Sequence, residues 1–118
     1  MGLFRWMAKR GVAGKIATSV FRQYRQMMQI NPSLKEEDIC KALLIRGYVT
    51  GKELSEAEEH KLSIMMTNDC AYITTLPLLC MAILYIETDI SPDDGKVFDD
   101  ARDIVFEVLR EQGYQAAS

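Results

Sequence analysis

With 118 residues, 48% of them hydrophobic and 26% charged, the chain has the size of one domain and the composition of a globular protein, which excludes two ordinary domains and an intrinsically disordered tract. The net charge of -3 hides a division. Arg5, Lys9, Arg10, Lys15, Arg22, Arg25 and Lys35 stand in a stretch without a single acid, and seven basic against seventeen acidic residues come after it, so charges of +7 and -10 occupy different parts of one chain and attract each other or different partners.

The first predicted element is a short amphipathic arm, residues 1–12, set apart from a bundle domain of residues 13–118. Leu3, Phe4, Met7 and Ala8 make its apolar side and Arg5 with Lys9 its polar side, and Gly11 and Gly14 loosen it from the next helix. Arg5, Lys9 and Arg10 interrupt the apolar core a secretory signal needs, which argues against one. Trp6 stands where a myristoylation motif wants Ser or Thr. The arm's acid-free, arginine-bearing composition is also that of a mitochondrial presequence.

At 100° per residue, Ile16, Val20, Tyr24, Met27 and Met28 share an arc of about 120°, with Ala17 and Phe21 on its edge, which predicts a helix over residues 13–30. Lys15, Arg22 and Arg25 fall on the other side. Asn31-Pro32 closes this helix, because the residue before a proline is pushed out of the α region. Ser33 and Glu36 read as a capping box for a second helix that buries Ile39, Cys40, Leu43 and Leu44 and stops near Gly47. The next turn, residues 47–52, imitates a phosphate loop but is one residue short, and Glu53 stands where Ser or Thr would hold magnesium.

Ser55 and Glu58 form the next capping box, with an acidic first turn of Glu56, Glu58 and Glu59 that complements the helix dipole. This third helix is expected to continue to about Leu76, where Pro77 breaks or restarts it. From residue 70 to residue 86 there are 17 residues without a charge. That length is the bottom of the range for a membrane span, but Thr74, Thr75 and Pro77 interrupt it and its flanks are Asp69 and Glu87, so a central bundle helix over residues 77–88 is the better reading. In the last helix Ser91 is the expected N-cap, Pro92 the first helical position, and Asp93 with Asp94 the dipole partners. Val97, Ala101, Ile104, Val105 and Val108 form its core stripe and Gly113 its stop, while Phe106 lies about 180° from Val97, either covered or free for a partner.

The fold class these elements define is all-α, a single-domain bundle of four to five helices with a basic N-terminal arm. Cys40, Cys70 and Cys80 all sit in apolar pattern and read as reduced core residues of a cytoplasmic protein. His60 is the only histidine, so a multi-histidine metal site is excluded; with Glu56 and Glu59 at helical spacing it is the one nucleus for a small metal protein or enzyme, and a solvated surface histidine is the plainer reading. No cofactor motif is present, and a non-enzymatic role is expected. The leading function is an interaction or adaptor protein, whose candidate binding residues are Leu3, Phe4, Arg5, Trp6, Lys9, Arg10, Lys15, Arg22, Arg25 and Phe106. Its partner would be an acidic protein or an anionic membrane surface. The alternative is a single-stranded nucleic-acid binder, since Phe4-Arg5-Trp6 and the segment Phe21 to Arg25 interleave aromatic and basic groups. Phe106 and the all-round apolar helix leave self-association open.

Overall fold

The computed structural model describes residues 2–46, 54–68, 73–88 and 90–115, with residues 2–10, 45–46 and 65–68 described through their backbone. Its helices are α1 (Gly2–Ile30), α2 (Glu36–Arg46), α3 (Glu56–Asn68), α4 (Leu76–Thr88) and α5 (Lys96–Glu111), with a 3-10 turn at Pro92–Asp94. The all-α bundle expected from periodicity is the observed architecture, and no strand occurs among the described residues.

The backbone stays helical through Gly11 and Gly14, the glycines expected to loosen it. One rod of 29 residues runs from Gly2 to Ile30, about 43 Å long at 1.5 Å per residue, against a longest molecular dimension of 46 Å. Glycine lowers helix propensity without forbidding helix, and the ladder on both sides carries the chain through. α1 ends where Pro32 requires, with the Asn31 N–H donating to the Met27 carbonyl at 3.0 Å.

The capping box expected at Ser33 and Glu36 does not form. Asn31 Oδ1 accepts from both the Ser33 N–H (3.2 Å) and the Ser33 hydroxyl (2.6 Å), which consumes the serine in a turn. α2 instead starts from the Lys35 carbonyl, which accepts from the Ile39 N–H at 3.1 Å. The box at Ser55 does form: Glu58 N–H donates to Ser55 Oγ at 3.2 Å and Ser55 N–H to Glu58 Oε1 at 3.3 Å.

α3 ends at Asn68 and not near Leu76, and residues 73–75 are not helical. Pro77 therefore neither kinks a long helix nor ends one. It sits in the first turn of α4, where no intrahelical donor is needed, and the Thr75 carbonyl opens the new ladder by accepting from Leu79 N–H at 3.1 Å. α4 is the core of the bundle: Leu76, Pro77, Leu79, Cys80, Met81, Ala82, Ile83, Leu84 and Ile86 are all buried. Its neighbours account for this, since α1, α2, α3 and α5 all pack on it. Among the described residues no helix is long and apolar enough to cross a membrane. Lys61 on α3 lies 5.3 Å from the Tyr85 ring centroid, a cation–π contact that ties α3 to α4.

Ser91 caps a 3-10 turn rather than α5. Ser91 N–H donates to Asp94 Oδ2 at 2.6 Å, Gly95 takes φ +58°, and α5 begins at Lys96. Of the expected core stripe of α5, Ala101, Ile104 and Val105 are buried and Val97 and Val108 are half-buried, and Leu109 joins the buried set. Its C-terminus closes in a Schellman motif. Gly113 adopts φ +100°, its N–H donates to Arg110 O at 3.0 Å, and Tyr114 N–H donates to Leu109 O at 2.9 Å.

α1 packs most extensively on α5 and next on α4. A Cβ built on Gly14 meets Val108 Cγ2 at 3.8 Å, Thr18 bonds Gln112, and Phe21 meets Tyr114, so the two helices run parallel.

Candidate functional site

Because residues 1–35 carry no acid, α1 has no i,i+4 carboxylates to neutralise its own cations. Ala13, Ile16, Ala17, Val20 and Phe21 bury one side of the rod, which turns Lys15, Thr18, Arg22 and Arg25 to the solvent along one line of the opposite side. Lys15, Thr18, Ser19 and Arg22 line an open groove of about 370 Å³. Thr18 Oγ1 accepts from Gln112 Nε2 at 2.7 Å, which fixes this face to the end of α5. The Arg25 guanidinium lies 4.9 Å from the Phe21 ring centroid, and this cation–π contact holds its charge against the helix while leaving it exposed.

No ion pair joins a carboxylate of α5 to this line among the described residues. Asp99, Asp103 and Glu107 are exposed, and Asp99 pairs with Arg102 of its own helix at 3.3 Å. Lys41 likewise pairs with Glu37 within α2 at 2.8 Å, and the lysine's hydrogen bond holds the Glu37 carboxyl below its usual range. Among the described residues Lys15 and Arg22 form no ion pair. Of the other candidate binding residues, Phe106 is 39% exposed on α5, on the face away from the core. Positions 3, 4, 5, 6, 9 and 10 lie on the helical backbone of α1, and their side chains are outside the description.

A second constellation, at the chain end beyond Gly113, has no counterpart among the sequence-based expectations. The Schellman motif drives Tyr114 into the core, where it is 7% exposed and meets Phe21 edge-on at 6.0 Å. Its hydroxyl donates to the Glu36 carboxylate, at 2.8 Å to Oε1 and 3.0 Å to Oε2, so the chain end is latched to the start of α2. The available signal is an aromatic residue immediately after a C-terminal glycine, the position that turns back onto the helix. Burial first, then the Glu36 hydrogen bond and charge, raise the Tyr114 pKa well above its ordinary value. Burial and Glu36 act the same way on Tyr24, and burial with Glu36 pushes the Cys40 thiol up to about 12. Burial also raises Cys80. At neutral pH these groups are protonated, so they form a neutral structural cluster and no activated nucleophile. Beside it Tyr24, Arg25, Met28 and Tyr114 line an open groove of about 350 Å³.

His60, Glu56 and Glu59 are exposed on α3, and among the described residues no three of His, Cys, Asp and Glu converge to hold a metal ion. Cys40 and Cys80 are free and buried, as their apolar setting predicts; Cys70 and the turn at residues 47–52 lie outside the described residues. Comparison with known proteins finds no matching family model, no matching curated protein and no matching solved structure.

Proposed function

We propose that this is a non-enzymatic interaction protein whose α1 presents a basic face to an acidic partner, most concretely an anionic membrane surface. The observation that carries the reading is the line of Lys15, Arg22 and Arg25, exposed on a helix without acids and without an ion pair among the described residues. Each such cation gains about 1 kcal/mol near an anionic leaflet, so three supply about 3 kcal/mol, roughly a hundredfold in affinity. The interaction is reversible and weakens with salt. The charge of -10 after residue 35 is repelled by the same surface and orients the molecule with α1 toward it.

Two of the four aromatic residues that would favour single-stranded nucleic acid, Phe21 and Tyr24, pack against the core. Phe21 is buried beneath Arg25 and Tyr24 is half-buried against it, so neither offers the open ring face that base stacking needs. The test is co-sedimentation of the full chain with phosphatidylcholine vesicles, with and without phosphatidylserine, across a salt series. Binding that needs phosphatidylserine and falls with salt supports the reading. Absence of vesicle binding beside tight binding of a single-stranded oligonucleotide overturns it.

A further inference from the structure

The groove beside Tyr114 lies where α1 meets the returning chain end, and its volume of about 350 Å³ is that of a small-molecule site. Exposure sorts its lining into layers. Phe21 and Tyr114 are buried and make the floor, Tyr24 and Met28 are half-buried and make the sides, and Arg25, Gln29 and Gln115 stand exposed at the rim. α1 supplies most of this from one face, because Phe21, Tyr24, Arg25 and Met28 follow one another at i, i+3, i+4 and i+7. Gly113 supplies the rest: its φ of +100° turns Tyr114 and Gln115 back onto that face.

The interior is apolar and the rim carries a single full charge. No carboxylate is among the lining residues, and Arg25 forms no ion pair among the described residues. Glu36 takes the Tyr114 hydroxyl but does not line the groove. Arg25 lies 4.9 Å from the Phe21 ring centroid, a contact that keeps its donor fork at the rim, which it shares with the amides of Gln29 and Gln115. That set complements one carboxylate, which a guanidinium holds through two parallel hydrogen bonds. The ring faces below are already used, since Arg25 covers Phe21, Tyr24 stacks on it at 6.1 Å and Tyr114 meets it edge-on, whereas the flexible Met28 adapts to a chain. We infer that this groove binds a small alkyl carboxylate, its head on Arg25 and its chain along Met28, Tyr24 and Tyr114. A docked helix, about 10 to 12 Å across and several turns long, needs a longer trough than this one. Arg25 is shared with the proposed membrane face, but Lys15 and Arg22 lie outside the groove, so the two roles separate.

Octanoate and its neutral amide, octanamide, differ only at the head and serve as the probes. Each is titrated, below its micelle concentration, into the isotope-labelled full chain while the amide resonances are followed by NMR. The expected result is saturable shifts at Arg25, Gln29, Gly113 and Gln115 with octanoate, and octanamide weaker on the order of tenfold. Arg25→Gln, checked for unchanged helix content, should remove that preference, and Lys15→Ala with Arg22→Ala should keep it. The comparison of the two probes needs no variant, so it stands even if Arg25→Gln alters the fold. Equal affinity for both probes overturns the site, as do shifts confined to other residues or no saturation at millimolar octanoate. So does loss of the preference in the Lys15 and Arg22 variant with Arg25→Gln unaffected, which moves the anion to the basic face. Saturation of the same amides by a short acidic peptide, with none by octanoate, also overturns it and gives the groove to a protein partner. None of these results involves vesicles, so failure of the carboxylate site leaves the membrane function to its own test.

Discussion

Tyr114→Phe removes one oxygen from a site whose geometry is otherwise kept. The ring still meets Phe21 edge-on, so no cavity opens, and the change isolates the hydrogen bond to Glu36. A hydrogen bond to a charged group contributes about 1.5 to 3 kcal/mol. Glu36 is half-exposed, so water takes the place of the phenol on the carboxylate and the expected loss lies at the low end, about 1.5 kcal/mol. With an unfolding entropy of about 2.1 cal/mol/K per residue, a chain of this length loses roughly 6 °C in Tm. Urea denaturation followed by far-UV circular dichroism should show a lower midpoint at unchanged slope. Glu36→Ala should cost a comparable amount, and the double variant should lose less than the two single losses added, because the same bond is removed twice. Additive losses, or a Tyr114→Phe protein as stable as the parent, would refute the latch.

The two buried thiols predict alkaline sensitivity. Cys40 titrates near 12 in the folded protein against 9.0 for an unperturbed thiol, and Cys80 is raised as well. Below pH 9 both are protonated in either state and the full stability is present. Above it the unfolded chain loses protons that the folded protein keeps, so stability falls by about 1.4 kcal/mol per pH unit for each thiol, with Tyr114 adding to the slope above pH 10. Urea midpoints measured at rising pH should decline from about pH 9, and Cys40→Ala should flatten that decline; a flat profile through pH 10.5 contradicts it. Two glycine substitutions should act in opposite directions. Gly11→Ala, in a helical position where a Cβ meets no described atom within 4 Å, should stabilise by about 0.5 to 1 kcal/mol if α1 is continuous. Gly113→Ala should destabilise by about 1 kcal/mol, because its φ of +100° is strained for any side chain, and thermal melts of the two variants should bracket the parent.

Much of the fold is legible in the sequence because its signals are local. The apolar stripe of α5, the proline that ends α1 and the Ser55 box each act within a turn or two of chain, and each is where periodicity and capping chemistry put it. The positions that sequence misplaces are those decided by a distant or competing partner. Ser33 loses its capping role to Asn31 Oδ1, and Glu36 is drawn to Tyr114, 78 residues away. Pro77 is compatible with a break, a kink or a start, and only the packing of four helices around α4 makes it a start. The basic line on α1 is visible as composition. Composition does not supply the continuity through Gly11, nor the relation between the arm's register and the face carrying Lys15 and Arg22.

The central claim, that the exposed cations of α1 are a docking face, is tested most directly by exchanging them. Lys15→Ala with Arg22→Ala alters two exposed residues without touching the core, so the variant should keep the parent's helix content and Tm. On phosphatidylserine-containing vesicles at low salt the account predicts roughly a thirtyfold lower partition coefficient, about 2 kcal/mol for two headgroup contacts. A folded variant that binds those vesicles as well as the parent would contradict it.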